Sequence, residues 1–183
     1  MKIILGFLSF IAFAVASALG HTEEGLLAGA AVAAGAIVHD GVLPDRRIKL
    51  LDIGTCVLFS ALAIFVWTSG ATLSIAVVRI CVDTGLLLIV LTTIVLGKPF
   101  TMDYAKPRVD PSLWRSNAFI RNNQVISLAW AAAFAVIILA DIALWQSLIP
   151  TRAITLIIVG TVYAAMRFTQ SFPQHMRQQT ALR

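Results

Sequence analysis

The chain contains several uninterrupted apolar segments that are long enough to cross a lipid bilayer. Crossing roughly 30 Å of hydrocarbon takes about 20 residues of helix, and residues 48–68, 72–96 and 123–149 all reach that length. Hydrophobic residues make up 59% of the sequence and charged residues only 13%, whereas soluble domains are about half apolar and about a quarter charged. The sequence therefore predicts an all-α, polytopic transmembrane helix bundle that forms a single domain.

Three further apolar segments, residues 2–20, 24–38 and 153–170, raise the predicted number of spans to six. The first resembles a signal peptide, with a basic start and small residues at Ala16 and Ala18. We interpret it instead as a retained first span. The second and sixth segments are short for a full crossing, so we expect little tilt or local thinning of the bilayer there.

The distribution of basic residues orients the predicted spans. With the N-terminus inside, twelve of the 14 Lys and Arg residues face the cytoplasm: Lys2, Arg46, Arg47, Lys49, Lys98, Lys106, Arg108, Arg115, Arg121, Arg167, Arg177 and Arg183. Arg152 then lies outside and Arg79 lies within a span. The positive-inside rule therefore predicts a multi-pass protein of the bacterial inner membrane with both termini in the cytoplasm. Loop charge also explains the net charge of +5, and no nucleic-acid partner is predicted.

Three ionisable residues lie deep within predicted spans. Arg79 and Asp83 are four residues apart, so they share one helix face. Asp141 lies at about the same depth as Arg79 below the outer surface, at roughly 1.5 Å per residue. We predict an Arg79–Asp141 bridge with Asp83 as its third member. Such a cluster either fixes two helices in register or lines a path for a proton, an ion or a small polar solute.

Other candidate ligands are interpreted as structural or solvated residues. Asp52 is predicted to pair locally with basic neighbours such as Lys49, while His39 and Asp40, on the cytoplasmic side, are expected to be solvated. His21 with Glu23 and Glu24 is too loosely spaced to indicate a metal site. Cys56 and Cys81 are interpreted as small buried side chains, and we predict no metal and no cofactor.

Gly25, Gly29 and Ala33 give small residues at every fourth position of the second span. This spacing lets two helix backbones approach closely. We predict that the three residues pack against another helix, of the same chain or of a second copy.

The connection 97–122 is the longest between predicted spans and has the most distinctive sequence. Asp110 followed by Pro111 is typical of a helix start, which predicts a short amphipathic helix over residues 111–121 lying at the cytoplasmic interface. Trp114 and Tyr104 would then lie at headgroup depth, with the basic side chains against anionic lipid. The residues assigned to this interfacial loop are Lys98, Pro99, Tyr104, Trp114, Arg115 and Arg121.

Residues 48–145 resemble the intracellular septation protein A family, whose members span the bacterial inner membrane and are also known as YciB-like proteins. The similarity lies in Lys98-Pro99-Phe100 at the end of a span, in Pro111 and Trp114, and in Trp130-Ala131 with Phe134 opening the next span. Asp141 occupies a position where the family usually has Asn, and the interval from Trp114 to Trp130 is longer than is usual there. The resemblance implies a non-enzymatic protein linked to cell-envelope or division complexes.

Three functions are compatible with these features. The first is a structural or scaffold protein of the bacterial envelope that contacts other membrane proteins or copies of itself within the lipid bilayer. The second is a small oligomeric transporter or channel that uses Arg79, Asp83 and Asp141. The third is an accessory subunit of a membrane enzyme. The sequence contains no GxSxG, HExxH or P-loop motif, so we predict no catalytic residue and no enzyme.

Overall fold

The computed structural model describes residues 7–43, 48–70 and 74–181, with side chains described up to residue 172. Within these ranges every regular element is helical. The seven α-helices are α1 (Leu8–Ala18), α2 (Thr22–Val42), α3 (Leu50–Ser69), α4 (Ile75–Val95), α5 (Thr101–Ala105), α6 (Asn117–Trp145) and α7 (Thr151–Ala181).

Several predictions concern residues beyond these ranges. The charge count includes Lys2, Arg46, Arg47, Arg183 and the side chain of Arg177, all of which lie outside the described part of the chain. The same holds for residues 2–6 of the predicted first span and for residues 72 and 73 of the fourth.

Five described helices are long and apolar enough to cross a membrane: α2, α3, α4, α6 and the first 22 residues of α7. The second and sixth predicted spans are longer than the sequence indicated, because α2 has 21 residues and the apolar part of α7 runs from Thr151 to Phe172. Charged residues such as Glu23 end an apolar segment but favour the start of a helix. Within the described part of the first predicted span, α1 has 11 residues, about 16 Å of helix, and the length of that span stays a prediction.

Four helices, α1, α3, α4 and α6, are each followed by a residue in the left-handed region, namely Gly20 (φ 89°), Gly70 (φ 61°), Gly97 (φ 68°) and Ser147 (φ 57°) respectively. After α4, the Gly97 amide donates to the carbonyl of Ile94 at 3.0 Å and the Lys98 amide donates to that of Thr93 at 2.9 Å. This is the Schellman motif, which satisfies the last carbonyls of a helix.

The contacts divide the chain into two compact units, Met1–Ile89 and Val90–Arg183. In the first unit α2 packs against both α1 and α3. Phe59 of α3 is fully buried at the centre, where its ring lies 5.2 Å from that of Phe10 and 5.5 Å from that of Phe13. The prediction of a single domain stays a prediction.

The small residues of α2 pack inside this first unit. A methyl carbon added at Gly25 would lie 3.1 Å from the Cβ of Ala16 on α1, and one added at Gly29 would lie 3.0 Å from the Phe59 ring on α3. Ala33 is 1% exposed. The described neighbours of Gly25 and Gly29 therefore belong to the same chain. The close approach of α2 to α1 and α3 is possible because glycine has no side chain at these two positions.

The second unit is built on α6 and α7, with α5 packed against α6. Trp130 and Phe134 of α6 are buried with their ring centres 5.8 Å apart. The Trp130 indole nitrogen donates to the Thr169 hydroxyl of α7 at 3.0 Å. This bond joins the two long helices near the C-terminal end of the apolar part of α7.

The predicted interfacial helix over residues 111–121 is wrong. Asp110 does cap a helical start, accepting a hydrogen bond from the Ser112 amide at 2.9 Å, but only a 3₁₀ turn, Pro111–Leu113, follows. Ser116 then caps α6 by accepting from the Phe119 amide at 3.2 Å. The long helix begins at Ser116 and not at Asp110 because the 29 residues after Ser116 bury one face of α6. A helix begun at Asp110 would have few apolar side chains to bury in its first turns.

Candidate functional site

Charged side chains that are buried or half-buried within or beside the candidate membrane-spanning helices lie at three described places: the α2–α3 corner, the middle of α4 and the C-terminal part of α6. A fourth polar region is the connection between α4 and α6, residues 96–116, which we call the connector. Polar groups in such positions are expensive to bury, so each is a candidate for structure or function.

At the α2–α3 corner, Lys49 lies between two buried carboxylates. Its ammonium donates a hydrogen bond to Asp40, in the last turn of α2, and lies 3.4 Å from Asp52, in the first turn of α3. Asp40 is 3% exposed and Asp52 is 6% exposed. His39 lies beside Asp40, with its Nδ1 3.3 Å from Oδ1. The predicted local pairing of Asp52 with Lys49 is confirmed, whereas the predicted solvation of Asp40 is wrong.

The two carboxylates raise the pKa of Lys49. Burial by itself lowers the pKa of this ammonium, but the hydrogen bond to Asp40 and the charges of Asp52 and Asp40 together outweigh burial. The charged form is therefore the stable one. A paired ammonium of this kind joins two helices, and it lacks the lowered pKa that a Lys general base requires.

The predicted charge cluster is divided between the two units. Arg79 and Asp83 lie one turn apart on α4 in the first unit, and both are half-buried. Asp141 lies on α6 in the second unit and has no exposed surface. The Arg79–Asp141 bridge stays a prediction, as does the role of Asp83 as a third member.

The connector folds back onto the helices of the second unit. Pro99 and Phe100 are fully buried, and Thr101, Met102 and Tyr104 of α5 are buried with them. Tyr104 and Pro99 are therefore core residues, whereas the sequence suggested an interfacial position for Tyr104. The Phe100 and Tyr104 rings meet edge to face, with centres 6.3 Å apart.

Buried hydroxyl groups hold the connector in place. The Thr101 hydroxyl lies 2.9 Å from the Ser127 hydroxyl and 3.0 Å from the carbonyl oxygen of Asn123, both on α6. The Phe100 amide donates to the Thr93 hydroxyl of α4 at 3.2 Å. Sequence reasoning missed this network. The sequence feature that indicates it is the pair Asn123 and Ser127, two polar residues that lie four positions apart on one face of an apolar helix.

Four basic residues of the predicted loop are exposed: Lys98, Arg108 and Arg115 in the connector, and Arg121 in the second turn of α6. We call these four residues the basic rim. Trp114 is half-buried, and its indole nitrogen donates to the carbonyl of Val109 at 3.0 Å. Of the predicted loop residues, Pro99 and Tyr104 are thus buried, whereas the residues of the basic rim are exposed.

Among the described residues, no group of three or more His, Cys, Asp or Glu side chains is arranged to hold a metal ion. Cys56 and Cys81 are free thiols and half-buried. The polar groups at the α2–α3 corner and in the connector form hydrogen bonds and ion pairs within the chain, so both arrangements stabilise helix packing.

No protein-family profile, no curated protein and no solved structure matches this chain. The resemblance to the intracellular septation protein A family therefore rests on the sequence motifs alone and stays a prediction.

Proposed function

We propose that this protein is a scaffold of the bacterial inner membrane that works through helix contacts with other membrane proteins or with copies of itself. The proposal includes six spans with both termini in the cytoplasm. It assigns no catalytic residue, in keeping with the lack of catalytic motifs in the sequence. The observation that carries it is the exposed face of α7.

Helix α7 is the least apolar of the five candidate spans and also the least buried. Leu156 is 74% exposed, Val159 is 61% exposed and Tyr163 is 59% exposed. Tyr163 is near the middle of the apolar part Thr151–Phe172, at the depth where hydrocarbon would surround it. The most polar span is thus the one that this chain covers least, which is the reverse of what a lipid-facing helix requires.

The Tyr163 hydroxyl is a polar group on this exposed face of α7. Within the part of the chain that the structure describes, no hydrogen bond reaches this hydroxyl. A hydroxyl without a partner in hydrocarbon costs about 4 kcal/mol or more. A neighbouring helix that carries a donor or an acceptor would remove this cost. Gly160, one turn before Ala164, leaves open space beside α7. Two small residues at this spacing would allow the backbone of a second helix to approach α7 closely.

Photo-cross-linking in native membranes tests the scaffold. A benzoylphenylalanine at Tyr163 should give protein adducts of defined mass, which two differently tagged copies would assign to self-association or to another protein. The matched control is Leu139 of α6, a 66% exposed apolar position in the same unit, which should give lipid adducts only. Lipid adducts alone at both positions would count against the scaffold proposal.

Cysteine labelling tests the proposed topology. In a C56A/C81A background, a cysteine at Arg152 should react with a membrane-impermeant maleimide in intact cells. A cysteine at Arg108 should react only after permeabilisation. The reverse pattern would exclude cytoplasmic termini.

Asp141 favours a second candidate, a path for a proton, an ion or a small polar solute. A carboxyl group with no exposed surface in a membrane-spanning helix is a functional candidate by default. Reconstituted vesicles containing a pH-sensitive dye would show proton flux that D141N abolishes while the protein remains folded. Equal dye responses from wild type, D141N and protein-free vesicles would leave the scaffold as the better account.

A further inference from the structure

We infer that the basic rim binds the headgroups of anionic phospholipids in preference to zwitterionic ones. This inference is independent of the proposed scaffold function. It concerns the four rim residues Lys98, Arg108, Arg115 and Arg121, all in the second unit, and it rests on their charge, their depth and the way the connector is held.

The charges of the basic rim are not neutralised by the acidic residues of the connector. Asp103 lies 3.3 Å from Lys106, which is not part of the rim. Asp110 accepts from the hydroxyl of Ser112 at 2.6 Å and from its amide at 2.9 Å. These bonds lower the pKa of Asp110. In the described part of the chain, none of the four rim cations has a carboxylate within ion-pairing distance.

The ends of two membrane-spanning helices set the depth of the rim. Lys98 follows the end of α4 by three residues, and Arg115 precedes the start of α6 by two. Arg121 lies in the second turn of α6, a helix of 29 residues that is about 43 Å long. Because α6 is longer than the roughly 30 Å of hydrocarbon and its first two turns carry Arg121, Asn122, Asn123 and Gln124, we expect these turns to extend into the headgroup layer. Lys98, Arg115 and Arg121 would then lie at the depth of the lipid phosphates.

The connector, which carries three of these cations, is anchored to α6 before any lipid binds. Thr101 is bonded to α6, and Pro99 and Phe100 are buried beside it. The backbone of the connector is therefore already ordered, which reduces the conformational entropy that the chain loses when a lipid binds. Leu113, 52% exposed next to Trp114, supplies an apolar side chain that can enter the bilayer between lipids.

These features favour a membrane lipid over a soluble polyanion. Arg forms paired hydrogen bonds to phosphate, and three of the four rim residues are Arg. An acidic peptide or a nucleic acid would neutralise the charges of the basic rim but would leave the Leu113 side chain in water. An anionic lipid provides the phosphate and the apolar surroundings together, and a zwitterionic headgroup adds a positive charge that opposes the rim.

The test uses the full-length protein reconstituted in nanodiscs that contain equal amounts of phosphatidylglycerol and phosphatidylcholine. After extraction into mild detergent, native mass spectrometry gives the ratio of the two lipids that remain bound. R115Q is compared with R152Q, because each removes one exposed Arg beside the start of a long helix in the same unit. Both variants are checked for retained helicity and a monodisperse elution profile.

The wild type should retain more phosphatidylglycerol than phosphatidylcholine. R115Q should lower this preference about fivefold, which corresponds to about 1 kcal/mol per basic residue at an anionic surface, and R152Q should leave it unchanged. Equal retention of the two lipids by the wild type would overturn the inference, as would equal losses in R115Q and R152Q. Displacement of the bound lipid by millimolar inorganic phosphate would show instead a site for free anions.

Discussion

The ammonium of Lys49 donates a hydrogen bond to the carboxylate of Asp40, so the residue that precedes α3 is tied to the last turn of α2. A carboxylate in the last turn of a helix opposes the helix dipole, whereas a cation there is favourable. Lys49 thus offsets an unfavourable position of Asp40, and it also lies near Asp52 of α3.

Loss of Lys49 should destabilise the first unit. K49M leaves two buried carboxylates without this ammonium, and breaking a buried pair in this way costs about 3 kcal/mol. Detergent-induced unfolding in mixed micelles measures the change in the free energy of unfolding. K106M is the control, because its Asp103 partner is considerably more exposed than Asp40, and it should cost less than about 1 kcal/mol. Equal losses in the two variants would contradict a special role for Lys49.

The same ion pair predicts a loss of stability at high pH. The pKa of Lys49 is raised by folding from its ordinary value of 10.5, so the folded state binds this proton more tightly than the unfolded state does. The contribution is complete below pH 10.5 and is lost as the pH rises through the higher folded pKa. Unfolding measured from pH 8 to pH 12 should show a steeper loss in wild type than in K49M. Parallel curves would show that Lys49 does not couple folding to its proton.

Gly29 and Gly35 of α2 should respond oppositely to the same substitution. In G29A the new methyl would lie 3.0 Å from the ring of Phe59, which is fully buried, so overpacking should cost about 1–3 kcal/mol. In G35A the methyl would meet no atom within 4 Å, and Ala should stabilise the helix by about 0.5–1 kcal/mol. Unfolding of both variants in one detergent gives the comparison, and destabilisation by both would contradict this difference in packing between the two positions.

Ser147 should be replaceable by Gly with a gain in stability. It has φ 57°, a left-handed conformation that costs a residue with a side chain about 1 kcal/mol or more. S147G should therefore raise the free energy of unfolding by about 1 kcal/mol, while G97A, at φ 68° after α4, should lower it by a similar amount. The thermal midpoint of each variant provides the readout. A lower midpoint for S147G would show that the Ser147 side chain has a stabilising role of its own.

Much of the helical architecture could be predicted from the sequence, because a long apolar segment has few alternatives in a bilayer. The bounds were less accurate where charged residues such as Glu23 and Asp40 continue a helix beyond its apolar part. The anchored connector was not predictable, since the contact of Thr101 with Ser127 joins residues 26 apart. Burial of Asp40 was missed for the same reason, as its partner Lys49 follows nine residues later.

The left-handed residues Gly20 and Ser147 each close the first helix of a helical hairpin, α1–α2 and α6–α7. The hydrogen bonds at these ends join residues at most five apart, such as the Leu148 amide and the Ala143 carbonyl. Chain reversal therefore needs no contact with residues made later. During synthesis, which proceeds from the N-terminus, each hairpin can therefore turn before the helices that follow it are made.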